Sequence, residues 1–267
     1  MTTPPHPGFG ATLTRLLDHR GAGARETADR AGATADEVRA VLAGRSPGDD
    51  LLRRLGPALG LHAVDLFVLA GRTVPDDLAP LDATAAQWAW ITVGDAARLP
   101  EPERRALLRL VRSLPQEERR APFVPQPLAP LADGPGGWIV RMLQYRNLSR
   151  TGMAHALAYV TPTYLSAATY GVIGSGRMEL TPRLVTDFAA VLGIDAGELA
   201  AMTGVPLPGP PDPPFPEATY AAELLWAARR LSAGQAQHVS EVAGALREDH
   251  HDREPTEDPD LECPSNG

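Results

Sequence analysis

Apolar residues recur mostly at three- and four-residue spacing along the chain, and the alternating pattern of β-strands is almost absent. Between Phe9 and Gly21, for example, Leu13, Leu16 and Leu17 share one face of a segment that a glycine ends. Such spacing is typical of an amphipathic helix. Because the same periodicity continues through most of the sequence, it predicts an all-α protein.

The helical pattern occurs twice. At an offset of 133, Leu51 matches Leu184, Leu59 matches Leu192, Gly60 matches Gly193 and Gly71 matches Gly204. A second match, without gaps, aligns the segment from Leu99 with the segment from Leu231. Self-similarity of this kind predicts two copies of one helical module, each followed by a helical extension.

Pro/Gly-rich stretches separate these parts. Proline removes a backbone donor and disfavours helix in the preceding residue, so these stretches are predicted to be extended linkers. The C-terminal tail is acidic and lacks apolar spacing, which predicts disorder. The predicted parts are the first module (9–72), its extension (82–118), a linker (119–137), the second module (137–205), its extension (217–247) and the disordered tail (248–267).

Each module contains two short helical segments around a turn. In the first module, Gly32 permits a tight turn, and Thr34 with Glu37 predicts a capping box at the start of the following helix. In the second module, Ser166 is predicted to cap the equivalent helix. About six extra residues, around VTPTYL, lengthen the preceding helix and the turn.

Five short helices in this order, with RAGATADEVRAVLAGR across the turn, resemble the Cro/C1-type (XRE) helix-turn-helix family. Leu59-Gly60 with Leu66 and Leu69 matches the fourth and fifth helices of the family pattern. The resemblance covers about residues 9–72 and again about 137–205. It implies two lambda-repressor-like five-helix modules in tandem, a transcriptional regulator and double-stranded operator DNA as the partner. The extra residues of the second module depart from the pattern and bear on groove docking.

The resemblance places DNA contacts at the start of the second helix and around the third helix of each module. In the first module the candidates are Arg25, Thr34, Ala35, Asp36, Arg39 and Arg45. In the second module they are Ser149, Arg150, Thr151, Ser166, Ala167, Ala168, Thr169 and Arg177. Arg and Lys read guanine, whereas Asn and Gln read adenine. The segment LSAATYGVIGSGR (165–177) contains no Asn, Gln or Lys, and its single Arg is the last residue. It therefore has the pattern of a reading helix without the side chains of a strong reader.

The charge distribution predicts modest affinity. The formal net charge is −8, and the tail from Arg247 carries −6 of it, with eight acids against two arginines. Nine arginines against eight acids in the first module, and five against four in the second, leave each module near +1. Because affinity for DNA grows with the number of phosphates neutralised, each module should bind weakly and in a salt-sensitive way. Two modules on one chain raise the combined affinity.

The competing hypothesis is a protein-interaction adaptor, antitoxin-like or signalling, in which one or both modules have lost DNA binding. Its partner surface would include Trp88, Trp90 and Trp226 of the extensions. An apolar stripe of this kind is more often a helix–helix contact. A homodimer and a small ligand held by the extensions are further options. Because GxSxG, HExxH, P-loop and dinucleotide-binding motifs are absent, the sequence predicts no enzyme, no cofactor and no metal site.

The sequence also predicts a location. No apolar run approaches the roughly 18 to 20 residues that span a membrane. The start, MTTPPHPGFG, lacks the features of a signal peptide, and Cys263 is the single cysteine. We therefore expect a cytoplasmic protein without membrane contact. All 25 basic residues are arginine, and Ala, Gly and Pro are abundant, which indicates a GC-rich genome such as that of an actinobacterium.

Overall fold

The computed structural model describes residues 8–125 and 130–253, with side chains up to residue 250. Within these ranges the protein is all-helical, which confirms the prediction from spacing. The first module and its extension contain α1 (Phe9–Arg20), α2 (Ala24–Ala31), α3 (Ala35–Leu42), α4 (Asp49–Ala58), α5 (Ala63–Leu69), α6 (Ala86–Ala96) and α7 (Glu101–Ser113). The second module and its extension contain α8 (Pro135–Gln144), α9 (Arg150–Val160), α10 (Ala167–Gly174), α11 (Pro182–Leu192), α12 (Ala196–Thr203), α13 (Pro216–Ala228) and α14 (Ala233–Arg253).

The helix order reproduces the repeat that the sequence contains. Helices α1 to α7 correspond in order to α8 to α14. The six extra residues fall where the sequence predicts them. Helix α9 has 11 residues against the 8 of α2, and six residues rather than three separate it from the next helix. The apolar faces build the core, in which Leu16, Leu55, Phe67 and Phe188 are at most 1% exposed.

One predicted boundary is wrong at the C-terminus. Helix α14 continues to Arg253, so residues 248–253 are helical rather than disordered. The physical reason is packing, because α14 lies along α6 and Arg247 binds Asp95 of α6 at 3.0 Å. The rest of the predicted disordered tail, with Cys263, lies outside the described residues. At the other linker, α8 begins at Pro135, two residues before the predicted end of the linker.

The two modules pack on each other reciprocally. Helix α1 packs against α12, and α5 packs against α8. Because α1 is equivalent to α8 and α5 to α12, each module presents the same two helices to the other, as in an isologous dimer. The extensions repeat this exchange, with α6 against α14 and α7 against α13. The chain is thus an internal pseudo-dimer with approximate two-fold symmetry, rather than two modules that only a linker connects.

Candidate nucleic-acid interface

An ion pair joins the first helix of the first module to the last helix of the second. Arg20 of α1 donates to the Glu198 carboxylate of α12 at 2.6 Å and to the carbonyl oxygen of Leu59 at 2.7 Å. The two side chains are 19% and 18% exposed. This pair therefore lies at the partly solvated edge of the contact between α1 and α12.

A second ion pair mirrors the first. Arg146 of α8 donates to both carboxylate oxygens of Asp65 of α5, and to the carbonyl oxygen of Leu192 at 3.1 Å. These three residues are the repeat equivalents of Arg20, Glu198 and Leu59. Both charged side chains are only 1% exposed. The two pairs hold the modules in a fixed relation, and one of them does so in the core.

Two equivalent glycines fix the third helix of each module against the first. A Cβ atom on Gly10 of α1 would collide with the carbonyl oxygen of Val41 at the end of α3. A Cβ atom on Gly136 of α8 would collide with the carbonyl oxygen of Ile173 at the end of α10. Glycine permits this close backbone approach because it has no side chain. The third helices, around which most of the predicted DNA contacts lie, are therefore held alike in both modules.

The turn of the first module has the predicted geometry. Gly32 adopts a left-handed conformation, with φ of 57°. The Thr34 hydroxyl accepts from the backbone N–H of Glu37 at 3.2 Å, and the Glu37 carboxylate accepts from the backbone N–H of Thr34 at 2.8 Å. The capping box is confirmed. The backbone N–H and the hydroxyl of Thr34 both donate to the Glu37 carboxylate and lower its pKa, so its charge is used in holding the helix start.

The remaining candidates of the first module surround α3. Arg25 is exposed in the first turn of α2, and Arg45 is exposed just beyond α3. Neither makes an ion pair within residues 8–125 and 130–250. Arg39 is exposed but binds Asp36 at 2.8 Å, and Ala35 is partly buried at the start of the helix. Among the described residues, this surface therefore offers phosphates two cations without an ion-pair partner, Arg25 and Arg45, and one cation, Arg39, that can exchange its partner.

The candidates at the start of α9 are also solvent-accessible. The Ser149 hydroxyl caps α9 by accepting from the backbone N–H of Gly152 at 3.0 Å. Arg150 and Thr151 follow it and are exposed, and Arg150 has no ion-pair partner in the described part of the chain. This helix start can contact a phosphate through a cation and a hydroxyl.

The start of α10 differs from the predicted cap. Ser166 occupies the N-cap position, but its hydroxyl pairs with the Thr169 hydroxyl at 2.9 Å instead of a backbone N–H. The prediction of a side-chain cap is therefore wrong. Ala168 is exposed and Ala167 partly buried, and Arg177 is exposed just beyond the helix. The surface of α10 offers methyl groups and two hydroxyls, with one cation at its far end.

Helix α6 covers much of α9. Trp90 of α6 stacks on His155 of α9, with ring centroids 4.3 Å apart, and contacts the helix at Gly152. Further along, Tyr159 packs on Gly94, so closely that a Cβ atom there would collide with the ring. One long face of α9 is therefore occupied by the extension of the first module.

The equivalent face of α2 is open. Glu26 and Asp29 stand in the first module where Gly152 and His155 stand in the second, and both acids are exposed. In the second module, small and aromatic residues at these positions accept α6 instead. The two modules thus share a frame but present different surfaces.

The tryptophans predicted to contact a partner are largely used within the chain. Trp226 lies between two side chains. Its ring stacks on that of His62, with ring centroids 3.4 Å apart and an interplanar angle of 6°. The guanidinium of Arg229 lies 3.6 Å from the indole ring centroid. Trp90 stacks on α9 as described, and Trp88 is partly buried. These indoles mainly join the extensions to the modules.

Sequence reasoning missed the four residues of the reciprocal ion pairs. A signal was present, because an acid recurs at equivalent positions of α5 and α12, on faces that are otherwise apolar. An arginine likewise recurs at the end of α1 and beyond α8. Charges that repeat with the module inside apolar surroundings indicate partners in the other copy.

Comparison of the chain with protein-family models, with curated proteins and with solved structures finds no match. Across residues 8–125 and 130–253, no helix is both long and apolar enough to cross a membrane. No group of three or more His, Cys, Asp or Glu residues suited to a metal ion occurs in those same ranges.

Proposed function

We propose that the protein is a DNA-binding transcriptional regulator of the Cro/C1-type helix-turn-helix class, built from two lambda-repressor-like modules. The observation that carries the proposal is the reciprocal packing of two repeats. In each repeat a turn is followed by a short helix, α3 or α10, whose start is accessible to solvent. In the first module, α2, the tight turn and the capping box at Thr34 have the arrangement in which such motifs present a reading helix.

The two-fold relation suggests the form of the operator. Proteins with two-fold symmetry bind inverted half-sites, because the symmetry of the DNA then matches that of the protein. In this chain the two halves are covalently joined and locked by the pairs Arg20–Glu198 and Arg146–Asp65. We therefore expect one chain to occupy one inverted repeat, without a second copy.

The half-sites should be unequal. The first module exposes Arg25, Arg39 and Arg45, which can bind phosphates or guanine. The second module offers Arg150 and Arg177 but only methyl and hydroxyl groups on α10. The half-site under the first module should therefore carry most of the sequence information, while the second contributes mainly phosphate contacts and methyl contacts to thymine.

The direct test is selection of genomic DNA fragments by the purified full chain, followed by titrations over a range of salt concentrations. The proposal predicts a recurring inverted motif with one half more constrained, a stoichiometry of one chain per duplex and a steep loss of affinity with salt. Absence of any sequence preference would reject a sequence-specific regulator.

A charge variant localises the binding surface. Replacing Arg25, Arg39 and Arg45 with alanine should weaken binding by at least about tenfold and lower the salt slope by about one for each lost phosphate contact. The matched control replaces Arg105, Arg109 and Arg120, which are also exposed and remove the same charge. If both triple variants lose affinity equally, the effect is one of net charge, and the first module is not the reader.

One observation favours the adaptor hypothesis for the second module. Tyr164 and Met178, at either side of α10, are 73% and 38% exposed, which is unusual for large apolar side chains. With the bland surface of α10, they resemble a protein contact more than a DNA contact. If the DNA selection fails, binding of a protein partner that Tyr164→Ser weakens would support this function.

A further inference from the structure

A cavity of about 520 Å³ lies where the two modules and the two extensions meet. Its wall includes His62 before α5, Gly193 at the end of α11, and side chains of α7 and α13. Residues that are far apart in sequence are thus brought to one place. A cavity of this size accommodates a small molecule.

The charge on the cavity wall is mainly positive. Arg112, Arg229 and Arg230 line it, with Glu223 as the acid among the lining residues. Glu223 accepts from Arg112 at 3.2 Å, and Arg230 donates to the side-chain oxygen of Gln116 at 3.0 Å. These contacts leave Arg229 without a carboxylate partner in the described part of the chain.

Arg229 is an incompletely satisfied cation. One of its terminal nitrogens donates to the carbonyl oxygen of Leu78 at 3.1 Å, and its guanidinium lies over the ring of Trp226. Its Nε atom is buried and has no acceptor among the described residues. Burial lowers the pKa of Arg229 to about 10, and Arg146 adds to the effect, so the group is still charged at neutral pH. Because Arg229 is only partly exposed, water cannot fully compensate for the missing acceptor.

The neighbouring groups do not neutralise this charge. Arg146 takes both carboxylate oxygens of Asp65, so that pair is balanced by itself. Burial, with Arg146 and Arg229 nearby, lowers the pKa of His62 to about 4, so the imidazole is neutral at neutral pH. The cluster of Arg146, Asp65, His62 and Arg229 therefore carries a net charge of about +1, as expected from one acid and two permanent cations.

A second cavity borders the first. A larger cavity of about 970 Å³ shares Gly193 and Thr219 with it. Ala190 and Phe215 line this second cavity, and Phe215 is 66% exposed. Its wall also includes Arg183 and the acids Asp187, Asp195 and Asp212. A molecule with an anionic end and an apolar body would place its charge near Arg229 and its body along this wall.

We propose that the two adjoining cavities form a binding site for a small organic anion, whose carboxylate or phosphate group neutralises Arg229. Guanidinium groups bind both kinds of anion strongly. The ligand would touch α13, the loop before α5 and the end of α11, and so would connect both modules. The site is separate from the predicted DNA contacts and does not depend on them.

The test uses the full chain, with thermal unfolding and tryptophan fluorescence measured at constant ionic strength. Benzoate and phenyl phosphate supply an anion with an apolar body, whereas acetate and inorganic phosphate supply the anion alone. We expect saturable binding of benzoate or phenyl phosphate, at least about tenfold tighter than that of the matching small anion, with a rise in the unfolding temperature. Stronger binding of one aromatic compound identifies the preferred anionic group. A response no larger than that to chloride would overturn the proposal.

Variants locate the site. Arg229→Met keeps the apolar stem and removes the charge, and it should weaken binding by at least about tenfold. Arg109→Gln, an exposed change on α7 away from the cavity, should leave binding unaltered. If Arg229→Met does not fold, Arg112→Gln leaves Glu223 unpaired at the cavity and should weaken binding several-fold. Unchanged affinity in whichever of the two variants folds would overturn the proposal.

Discussion

Helices α2 and α9 hold equivalent places in the repeat, yet their surroundings are opposite. On α2, Glu26 and Asp29 face solvent, so one side of the helix is open. On α9, the equivalent Gly152 and His155 lie under Trp90 of α6. An insertion of about six residues lengthens α9 and supplies Tyr159, which extends the same contact. The same motif thus became a surface in one half and a packing element in the other.

This difference shows how a symmetric frame can carry unequal tasks. Helix α6 of the first extension packs on α9, where Gly152 and His155 accept it. The equivalent positions of α2 hold the exposed acids Glu26 and Asp29, which do not suit such a contact. On the proposed function, the uncovered module is then free to read DNA. On the same proposal, the covered module would position it and add contacts through the exposed Arg150 and Arg177.

The two reciprocal ion pairs differ in the same direction. Arg146–Asp65 is almost fully buried, whereas Arg20–Glu198 is about one-fifth exposed. A buried pair that loses one partner leaves an uncompensated charge in the core, while water can solvate the remaining group of an exposed pair. Equivalent substitutions should therefore have unequal effects.

The largest expected effect is on the buried pair. Asp65→Asn should lower the free energy of unfolding by about 3–5 kcal/mol, because Arg146 stays buried and charged. Glu198→Gln, its repeat equivalent, should cost only about 1 kcal/mol. Denaturant unfolding of the two variants measures the difference. Equal losses of stability in the two variants would mean that the burial of an ion pair does not set the cost of removing its carboxylate.

A double substitution sharpens the same comparison. Arg146→Met with Asp65→Leu removes both charges and keeps an apolar contact, so it should recover most of the stability lost in Asp65→Asn. If the double variant is as unstable as the single one, the pair contributes through geometry that apolar side chains cannot replace.

A smaller effect concerns the repeat-equivalent residues His62 and Asp195, which precede α5 and α12. Asp195 caps its helix by accepting from the backbone N–H of Glu198 at 3.0 Å, whereas His62 makes no such bond. Burial, with the cations Arg146 and Arg229 nearby and Asp65 opposing them, lowers the pKa of His62 from 6.5 to about 4. The unfolded chain therefore binds a proton on His62 before the folded protein does.

Stability should consequently fall as the pH falls from about 6.5 towards 4, by on the order of 2 kcal/mol from this residue. The contribution is fully present above pH 6.5, where both states are neutral. His62→Gln should remove this part of the pH dependence, and His238→Gln, an exposed histidine on α14, should retain it. Identical profiles for the wild type and His62→Gln would show that His62 titrates normally.

The smallest expected effect compares the starts of α3 and α10. Thr34→Ala removes a hydroxyl that binds a backbone N–H within a capping box, and should cost about 1 kcal/mol. Ser166→Ala removes a hydroxyl that pairs with the Thr169 hydroxyl instead of a backbone N–H, and should cost less than about 0.5 kcal/mol. Thermal unfolding of both variants measures the difference. A larger loss of stability in Ser166→Ala than in Thr34→Ala would mean that the stronger cap lies in the second module.

Much of the fold follows from local rules that operate within a few residues. Periodicity predicted the helices, glycine predicted the ends of α1 and α2, and the box at Thr34 formed as expected. The cap at Ser166 failed because a neighbouring hydroxyl competes for it. The prediction of disorder was wrong for residues 248–253, which belong to α14. This helix packs on α6, and amino-acid composition cannot reveal such a contact.

The candidate DNA contacts could be placed on helices from sequence, but their exposure could not. Arg25 and Arg45 are exposed and unpaired among the described residues, as the pattern suggests, while Arg39 shares its charge with Asp36. The covering of α9 depends on Trp90, about sixty residues earlier in the chain. No local signal connects the two, because the contact exists only after the extension has packed.

The sequence by itself determined the helices, their order, the repeat and the insertion that distinguishes its second copy, since these depend on spacing and on interactions between near neighbours. The tertiary structure decided that the repeats form an internal pseudo-dimer and that α9 rather than α2 is covered. It also decided that Arg229, beside a cavity, has no ion-pair partner among the described residues. These features arise when distant segments compete for the same apolar surface and the same few carboxylates, and only the packed chain determines which segments meet.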